Sequence, residues 1–449
     1  MAGLRLSLGA ALLVLSQANP VLAQPPAVPP TKREFRAVWV ATVFNLNWPR
    51  STGWSTATGQ AELRAIFNRA VANRMNGIIL QIRPASDAFY VSNYEPWSQY
   101  LRGTQGTAPS PAWDPLAFAI TEARARGLEL HAWINPYRAA TSTNTALLAA
   151  THIARERPDL VRAYGGLLVL DPGEPEVPLY VREVIREDIL KRYDIDAIHF
   201  DDYFYPYPTK DAFPDEATYQ AYRNGGGTLA KNDWRRDCID RFVKRMYEVV
   251  KAAKPYVKVG ISPFGIWRPG FPKGIDGYDA FEKLHADARL WVNKGYLDYA
   301  APQLYWQIGA PKQSFPKLLD WWIGESAAGR PVIPGLYTSR LDPAETKAAN
   351  KWEPVEIVNQ ISTVRERQGA AGVIHFSLKA LAKDYKGIGG LLASGVYAKP
   401  SLVPAFASCG VEAPAAMAGV KCEVDKEGRV TLLWEPPKEC RVVAAATTS

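Results

Sequence analysis

Short apolar runs alternate with helical patterns along most of this chain, and no other feature limits its possible folds as strongly. Strand-like runs fall near 35–42, 77–83, 128–135, 195–201, 257–262, 297–305, 332–337 and 372–376. Helical patterns at 62–76, 114–127, 181–193, 234–254, 281–294, 315–325 and 355–368 separate them, with Asp114 a natural N-cap for the second. Eight strands alternating with helices predict a (β/α)8 TIM barrel over residues 34–400. A doubly wound open sheet is the competitor, but no Gly-rich phosphate turn follows the first strand. The loops after the first four strands are long and would wall one face of the barrel.

Side chains alternate across a strand, so each run can be sorted into two faces. In the fourth, Ile198 and Phe200 share the face expected toward the helices. Ala197, His199 and Asp201 share the other, with Asp201 at the C-terminal end, where barrel enzymes place their chemistry. Asp202 comes one residue later and, on an extended chain, points away as an orienting group. The same rule pairs Gln81 with Arg83, His131 with Trp133 and Asn135, Gly260 with Ser262, Gln303 with Tyr305, and His375 with Ser377. A polar barrel interior of this kind calls for a mutual network or a ligand.

Carboxylates at a barrel mouth suit glycoside hydrolysis, in which one protonates the leaving oxygen and the other acts as nucleophile or activates water. Asp201 is the expected ionised partner, and Asp87 or Glu95, in the loop after the second strand, the acid. The aromatic run Tyr203-Phe204-Tyr205-Pro206-Tyr207-Pro208 fits either loop packing or stacking on sugar rings. Two other readings stay open: a non-catalytic carbohydrate-binding barrel, and a metal-dependent barrel hydrolase using His131, His199 and His375. Against the latter, no strand carries the paired histidines such hydrolases use.

The net charge of +8 is dispersed and forms no Lys/Arg run, which argues against nucleic-acid binding. Arg5, the apolar run 6–15 and the small residue Ala23 read as a secretory signal peptide over 1–23. That run is too short for a membrane span, no later segment has the length of one, and no Cys follows the cleavage site to carry a lipid. The expectation is a periplasmic or extracellular protein. Residues 24–33 are a Pro-rich linker. In the tail, 401–449, the alternating runs 419–424 and 429–434 flank a turn and resemble the first hairpin of a β-sandwich. A sandwich needs about 100 residues. The tail therefore reads as a stub, either poorly ordered or docked on the barrel, and a truncated or frame-shifted end is open. The four cysteines lack metal-ligand spacing.

Several blocks match a known family: Arg36-Ala37-Val38-Trp39-Val40-Ala41-Thr42, Gln81-Ile82-Arg83-Pro84-Ala85-Ser86-Asp87-Ala88, Glu95-Pro96-Trp97-Ser98, and His131-Ala132-Trp133-Ile134-Asn135-Pro136-Tyr137-Arg138. His199-Phe200-Asp201-Asp202-Tyr203-Phe204-Tyr205-Pro206, Gly260-Ile261-Ser262-Pro263-Phe264-Gly265-Ile266-Trp267-Arg268 and Pro302-Gln303-Leu304-Tyr305-Trp306 follow in order. The chain thus resembles the glycosyl hydrolase-like 10 family of exported bacterial barrels. The resemblance implies a glycosidase-type barrel without a cofactor. It extends to a divisome-localised member that cleaves peptidoglycan strands stripped of their peptides, so cell-division machinery is an implied partner. Many relatives carry a fibronectin- or immunoglobulin-like C-terminal module, whose beginning the stub resembles. Carried over the matching motifs, Arg83, His131, Asn135, Tyr137, Arg138, His199, Tyr205, Gln303, Tyr305 and His375 are expected to hold sugar, with Tyr203 and Trp306 stacking on its rings.

Overall fold

A computed structural model describes residues 32–344, 351–410, 418–426 and 430–435. The expected signal peptide and nearly all of the Pro-rich linker lie outside these residues. Eight parallel strands form one curled sheet: β1 (Phe35–Val40), β2 (Gly77–Arg83), β3 (Glu129–Ile134), β4 (Ala197–Phe200), β5 (Lys258–Ile261), β6 (Tyr299–Ala300), β7 (Gly335–Leu336) and β8 (Gly372–His375). The ladder runs β7-β8-β1-β2-β3-β4-β5-β6. Its two edges meet through parallel bridges, Ala300 to Val332 and Gln303 to Gly335, so the sheet closes on itself. A helix follows each strand: α1 (Thr56–Ala72), α2 (Pro115–Arg124), α3 (Glu176–Glu183), α4 (Lys231–Ala253), α5 (Ala288–Lys294), α6 (Phe315–Gly324), α7 (Pro354–Arg365) and α8 (Leu378–Ala382). Asp114 caps α2 as expected, its carboxylate accepting the Ala117 N–H at 3.0 Å.

Strand alternation divides the core into two layers. Val38, Val40, Ile78, Leu80, Ile82, Ile198 and Phe200 belong to the large cluster between sheet and helices. Phe35, Ala37, Trp39, Ile79, Trp133, Tyr299 and Ile374 fill the barrel, with Phe406 packed against the Tyr299 ring. Two glycines are required by close approach. A Cβ on Gly260 would lie 1.9 Å from the Tyr299 ring, and one on Gly335 would lie 2.8 Å from the Trp39 ring.

β6 and β7 are much shorter than the runs 297–305 and 332–337 suggest, because Pro302 and Pro334 have no N–H to give the ladder. The loop after β3 holds a feature the helix–strand pattern did not foretell: a three-stranded antiparallel sheet of Arg138–Ala140, Val161–Tyr164 and Leu167–Leu170. In the tail, Ala418–Val424 and Val430–Glu435 pair antiparallel, as the alternating runs 419–424 and 429–434 suggest. Cys238, Cys409 and Cys422 are free thiols, and Cys440 lies outside the described residues.

Candidate active site

The C-terminal ends of the strands open into a cleft of about 450 Å³ whose only lining carboxylates, among the described residues, are Asp201 and Asp202. Asp201 stands where alternation along β4 predicts. Its carboxylate accepts Trp133 Nε1–H at 3.0 Å, Asn135 Nδ2–H at 3.1 Å to each oxygen, and the Tyr203 N–H at 3.2 Å. Burial pushes this carboxyl above its usual range, against the pull of the Arg138 charge and of these hydrogen bonds. Four donated bonds favour the ionised form and fix its orientation.

Asp202 departs from expectation. β4 ends at Phe200 and the chain bends, so Asp202 joins Asp201 in the cleft rather than turning away. The Tyr207 hydroxyl and Gln303 Nε2–H, at 3.0 Å, donate to it. Burial, helped by the neighbouring Asp201 charge, raises its pKa to about 6. Two carboxyls with different surroundings are the usual basis for separating an acid from an ionised partner. Arg138, Tyr203, Gln303 and Tyr305 complete the expected residues that line the cleft. The Arg138 guanidinium lies 4.8 Å from the centre of the Tyr203 ring.

Ten expected site residues lie elsewhere. Glu95 is bound to Arg83 at 2.6 Å, both side chains fully buried, and also accepts the Tyr180 hydroxyl at 2.8 Å. Arg83 further donates to the Asn135 carbonyl at 2.6 Å and Ser86 Oγ at 3.1 Å, pinning the loops after β2 and β3. Asp87 is buried beneath the loop after β2, accepting the Ala85 N–H at 3.2 Å and Gln105 Nε2–H at 3.3 Å. Burial raises its pKa to about 7, but it does not reach the cleft. Neither loop carboxyl is therefore placed as the acid. Asn135 acts through Asp201, and its Oδ1 accepts the Arg138 N–H at 2.7 Å. Tyr137 packs on Phe242, Tyr205 on Phe213 and His285, and Trp306 on Phe264, all behind the cleft wall.

The histidines form no joint site. Trp39 Nε1–H donates to His199 Nε2 at 3.2 Å, so that nitrogen is an acceptor and the proton sits on Nδ1. His199 Nδ1–H then donates to the Tyr299 hydroxyl at 2.8 Å, which donates to His131 Nδ1 at 2.8 Å. His131 Nε2–H is left to donate to Glu129 at 3.0 Å. Burial lowers the pKa of both rings and keeps them neutral. His375 faces the other way. Its partner across the ladder is Val38, on the helix side, and it contacts Thr338 Oγ1 at 2.8 Å and the Tyr397 hydroxyl at 3.2 Å. The inward residues are Ile374 on β8 and Phe376 just past its end, so the expected face was out of phase by one residue. The three-histidine metal set is not assembled, and these rings do not touch the cleft.

The cleft adds residues not named as sugar contacts: Trp39, Gln81, Trp133, Ser262 and Phe376 on the floor, Tyr207 and Phe44 at the rim. Gln81 stands out. Its Oε1 accepts the Thr42 and Val43 N–H groups at 3.0 Å each, while its buried Nε2 has no partner among the described residues. That amide offers a donor to a sugar hydroxyl. Its inward position beside Arg83 was the available signal.

The profile of the glycosyl hydrolase-like 10 family matches residues 34–353. Glycosyl hydrolase YngK of Bacillus subtilis (strain 168) is 42% identical over 417 residues, covering 90% of this chain and 80% of that protein. Glycosyl hydrolase DigH of Escherichia coli (strain K12) is 33% identical over 327 residues, covering 68% and 73%. The glycoside hydrolase domain of PgaB (BpsB) from Bordetella bronchiseptica has a similar fold, with a TM-score of 0.50 at 14% identity over 81% of this chain and 98% of that one. The closed barrel, the paired carboxyls at its mouth and these matches agree: the chain is a glycoside hydrolase belonging to the glycosyl hydrolase-like 10 family.

Proposed function

We propose that the protein is exported and cleaves glycosidic bonds in bacterial envelope glycan, specifically peptidoglycan strands lacking stem peptides. The observation that carries the catalytic part is the Asp201–Asp202 pair in an open, ring-lined cleft. Asp202, with a pKa of about 6, protonates the leaving oxygen; Asp201, oriented by the hydrogen bonds it accepts from Trp133, Asn135 and Tyr203, is the nucleophile or base. Tyr203 and Tyr207, both partly exposed at the rim, offer ring faces to pyranose rings. Gln81, Arg138, Gln303 and Tyr305 hold hydroxyls. The substrate rests on the family resemblance, on 2-acetamido strands needing flat stacking surfaces, and on the signal-like N-terminus.

The test compares the wild type with Asp201→Asn and Asp202→Asn on purified strands with and without stem peptides. Release of fragments from peptide-free strands by the wild type, and its loss in both folded variants, is expected. Wild-type-like release by either variant overturns the assignment of that carboxyl, and cleavage confined to peptide-bearing strands overturns the substrate.

A further inference from the structure

Beside the cleft, a second cavity of about 660 Å³ runs between α1 and α8 under the loop after β1. The two cavities share Leu46 in their walls. Its charged lining is basic: Arg50, Arg69, Lys379 and Lys383, against one carboxylate, Glu62. Glu62 accepts the Arg50 N–H at 3.2 Å, and Lys379 pairs with Asp342 at 3.3 Å. The side chains of Arg50, Arg69 and Lys383 have no ion-pair partner among the described residues. Lys379 on α8 and Lys383 just past its end bring two like charges to one wall of this cavity. Glu62 and Arg69 lie two turns apart on α1, about 10 Å, the length of roughly two sugar rings.

A second observation points the same way. The ridge between the cavities carries Phe44, a residue 67% exposed although its backbone is left-handed, with φ 56°. Asn45 follows at φ 53°. A bulky residue in that region is strained and persists only where neighbours enforce it. They do: Gln81 Oε1 accepts the Thr42 and Val43 N–H groups, and Asn45 Nδ2 donates to the carbonyls of Pro49 and Tyr100 at 2.9 Å each. The loop thus accepts strain and holds an aromatic face in water, at the crossing from the acidic cleft to the basic groove. An exposed aromatic next to unpaired cations suits a polymer with both a ring face and a negative charge.

We infer that this groove is an extended subsite for an acidic glycan: the strand passes over Phe44 and Leu46, and Arg69 and Lys383 take a sugar-borne carboxylate. For its natural ligand the inference rests on the proposed substrate, since strands freed of peptides expose their lactyl carboxylates. The ligand chemistry rests on the groove alone.

The experiment uses peptide-free strands with free carboxylates and the same strands with those groups converted to methylamides. Calorimetric affinity and steady-state kinetics are measured for the wild type and for Arg69→Glu/Lys383→Glu. Both positions are exposed, and Arg69→Gln/Lys383→Gln serves if charge reversal prevents folding. The wild type should bind and turn over the free-acid strands with about tenfold lower Kd and KM, as expected of two exposed charge contacts. That preference should fade as salt rises. The double variant should lose it with kcat unchanged. Equal wild-type affinity for both strands, or a variant that weakens both by the same factor, overturns the subsite. If the wild type cleaves neither strand yet keeps charge-dependent binding that the variant loses, the proposed substrate falls and the subsite stands.

Discussion

Glu95→Gln separates a structural carboxylate from a catalytic one, because the two roles predict opposite readouts. Glu95 and Arg83 are both fully buried and 2.6 Å apart. At an effective dielectric of about 20, a unit-charge pair at that separation gains about 6 kcal/mol. Desolvation offsets much of this, and breaking one side of a buried pair typically costs about 3–5 kcal/mol because the other charge stays buried. The substituted amide keeps an oxygen for Arg83 Nη2 and for the Tyr180 hydroxyl, which places the loss near the lower end, about 3 kcal/mol. For a barrel of this size, with an unfolding entropy of about 2 cal/mol/K per residue, that lowers Tm by about 4 °C. Differential scanning calorimetry reads the shift, and kcat on a soluble glycan substrate reads the chemistry. The structural role predicts a lower Tm with kcat within about threefold of wild type; a general acid predicts an unchanged Tm and a kcat loss of about 100-fold or more. The second pattern would refute the placement of Glu95 in the scaffold.

Other variants test the remaining assignments. If Asp202 is the acid, kcat/KM falls as pH rises through about 6, where its proton is lost. The Tyr207 hydroxyl favours the ionised form, so Tyr207→Phe should move that alkaline limb to higher pH; an unmoved limb would dissociate it from Asp202. The Asp87 carboxyl is raised from 3.8 to about 7 by burial, so the folded state holds a proton the unfolded chain releases. Its contribution is fully present below about pH 4 and lost as pH rises through 7. Asp87→Asn should flatten the dependence of urea midpoint on pH between about 4 and 8 while preserving kcat. Gly260→Ala should destabilise by about 2–3 kcal/mol, since its Cβ would meet the Tyr299 ring at 1.9 Å and the displaced ring strains the histidine chain.

The barrel could be read from sequence because each strand carries its own apolar run and each helix its own period. Even the shortened β6 and β7 had their cause written in Pro302 and Pro334. Asp201 was equally legible: the alternation of Ala197, His199 and Asp201 against Ile198 and Phe200 is unambiguous once one face must meet helices. His375 was not, because β8 reads Val373-Ile374-His375-Phe376, with an apolar residue on either side of each choice of phase. Its direction is set by the register of Ile374 on Ala37, a contact between strands far apart in the chain. The placement of Asp202 in the cleft was missed for a related reason. Alternation holds only while the chain is extended, and Asp202 lies just past the bend at the end of β4. Asp87 and Glu95 had the right residue type in the right loop. Whether such a carboxyl faces solvent, substrate or an arginine depends on contacts such as Arg83 to Glu95 that loop sequence does not encode.

The polar interior of this barrel divides by height into two solutions of one problem. Low in the barrel, polar groups satisfy one another in a chain from Trp39 through His199, Tyr299 and His131 to Glu129, which Lys258 neutralises at 2.7 Å. That chain occupies every ring nitrogen, so the histidines brace the strands beneath Asp201 instead of meeting a ligand. One layer higher the network stops closing. Gln81 Nε2 has no partner among the described residues, and burial together with the Asp201 charge raises the Asp202 pKa to about 6. A buried donor without a partner and a carboxyl with a raised pKa both cost folding stability. Both groups stand at the end of the barrel that opens into the cleft, above the chain from Trp39 to Glu129, where a ligand can reach them.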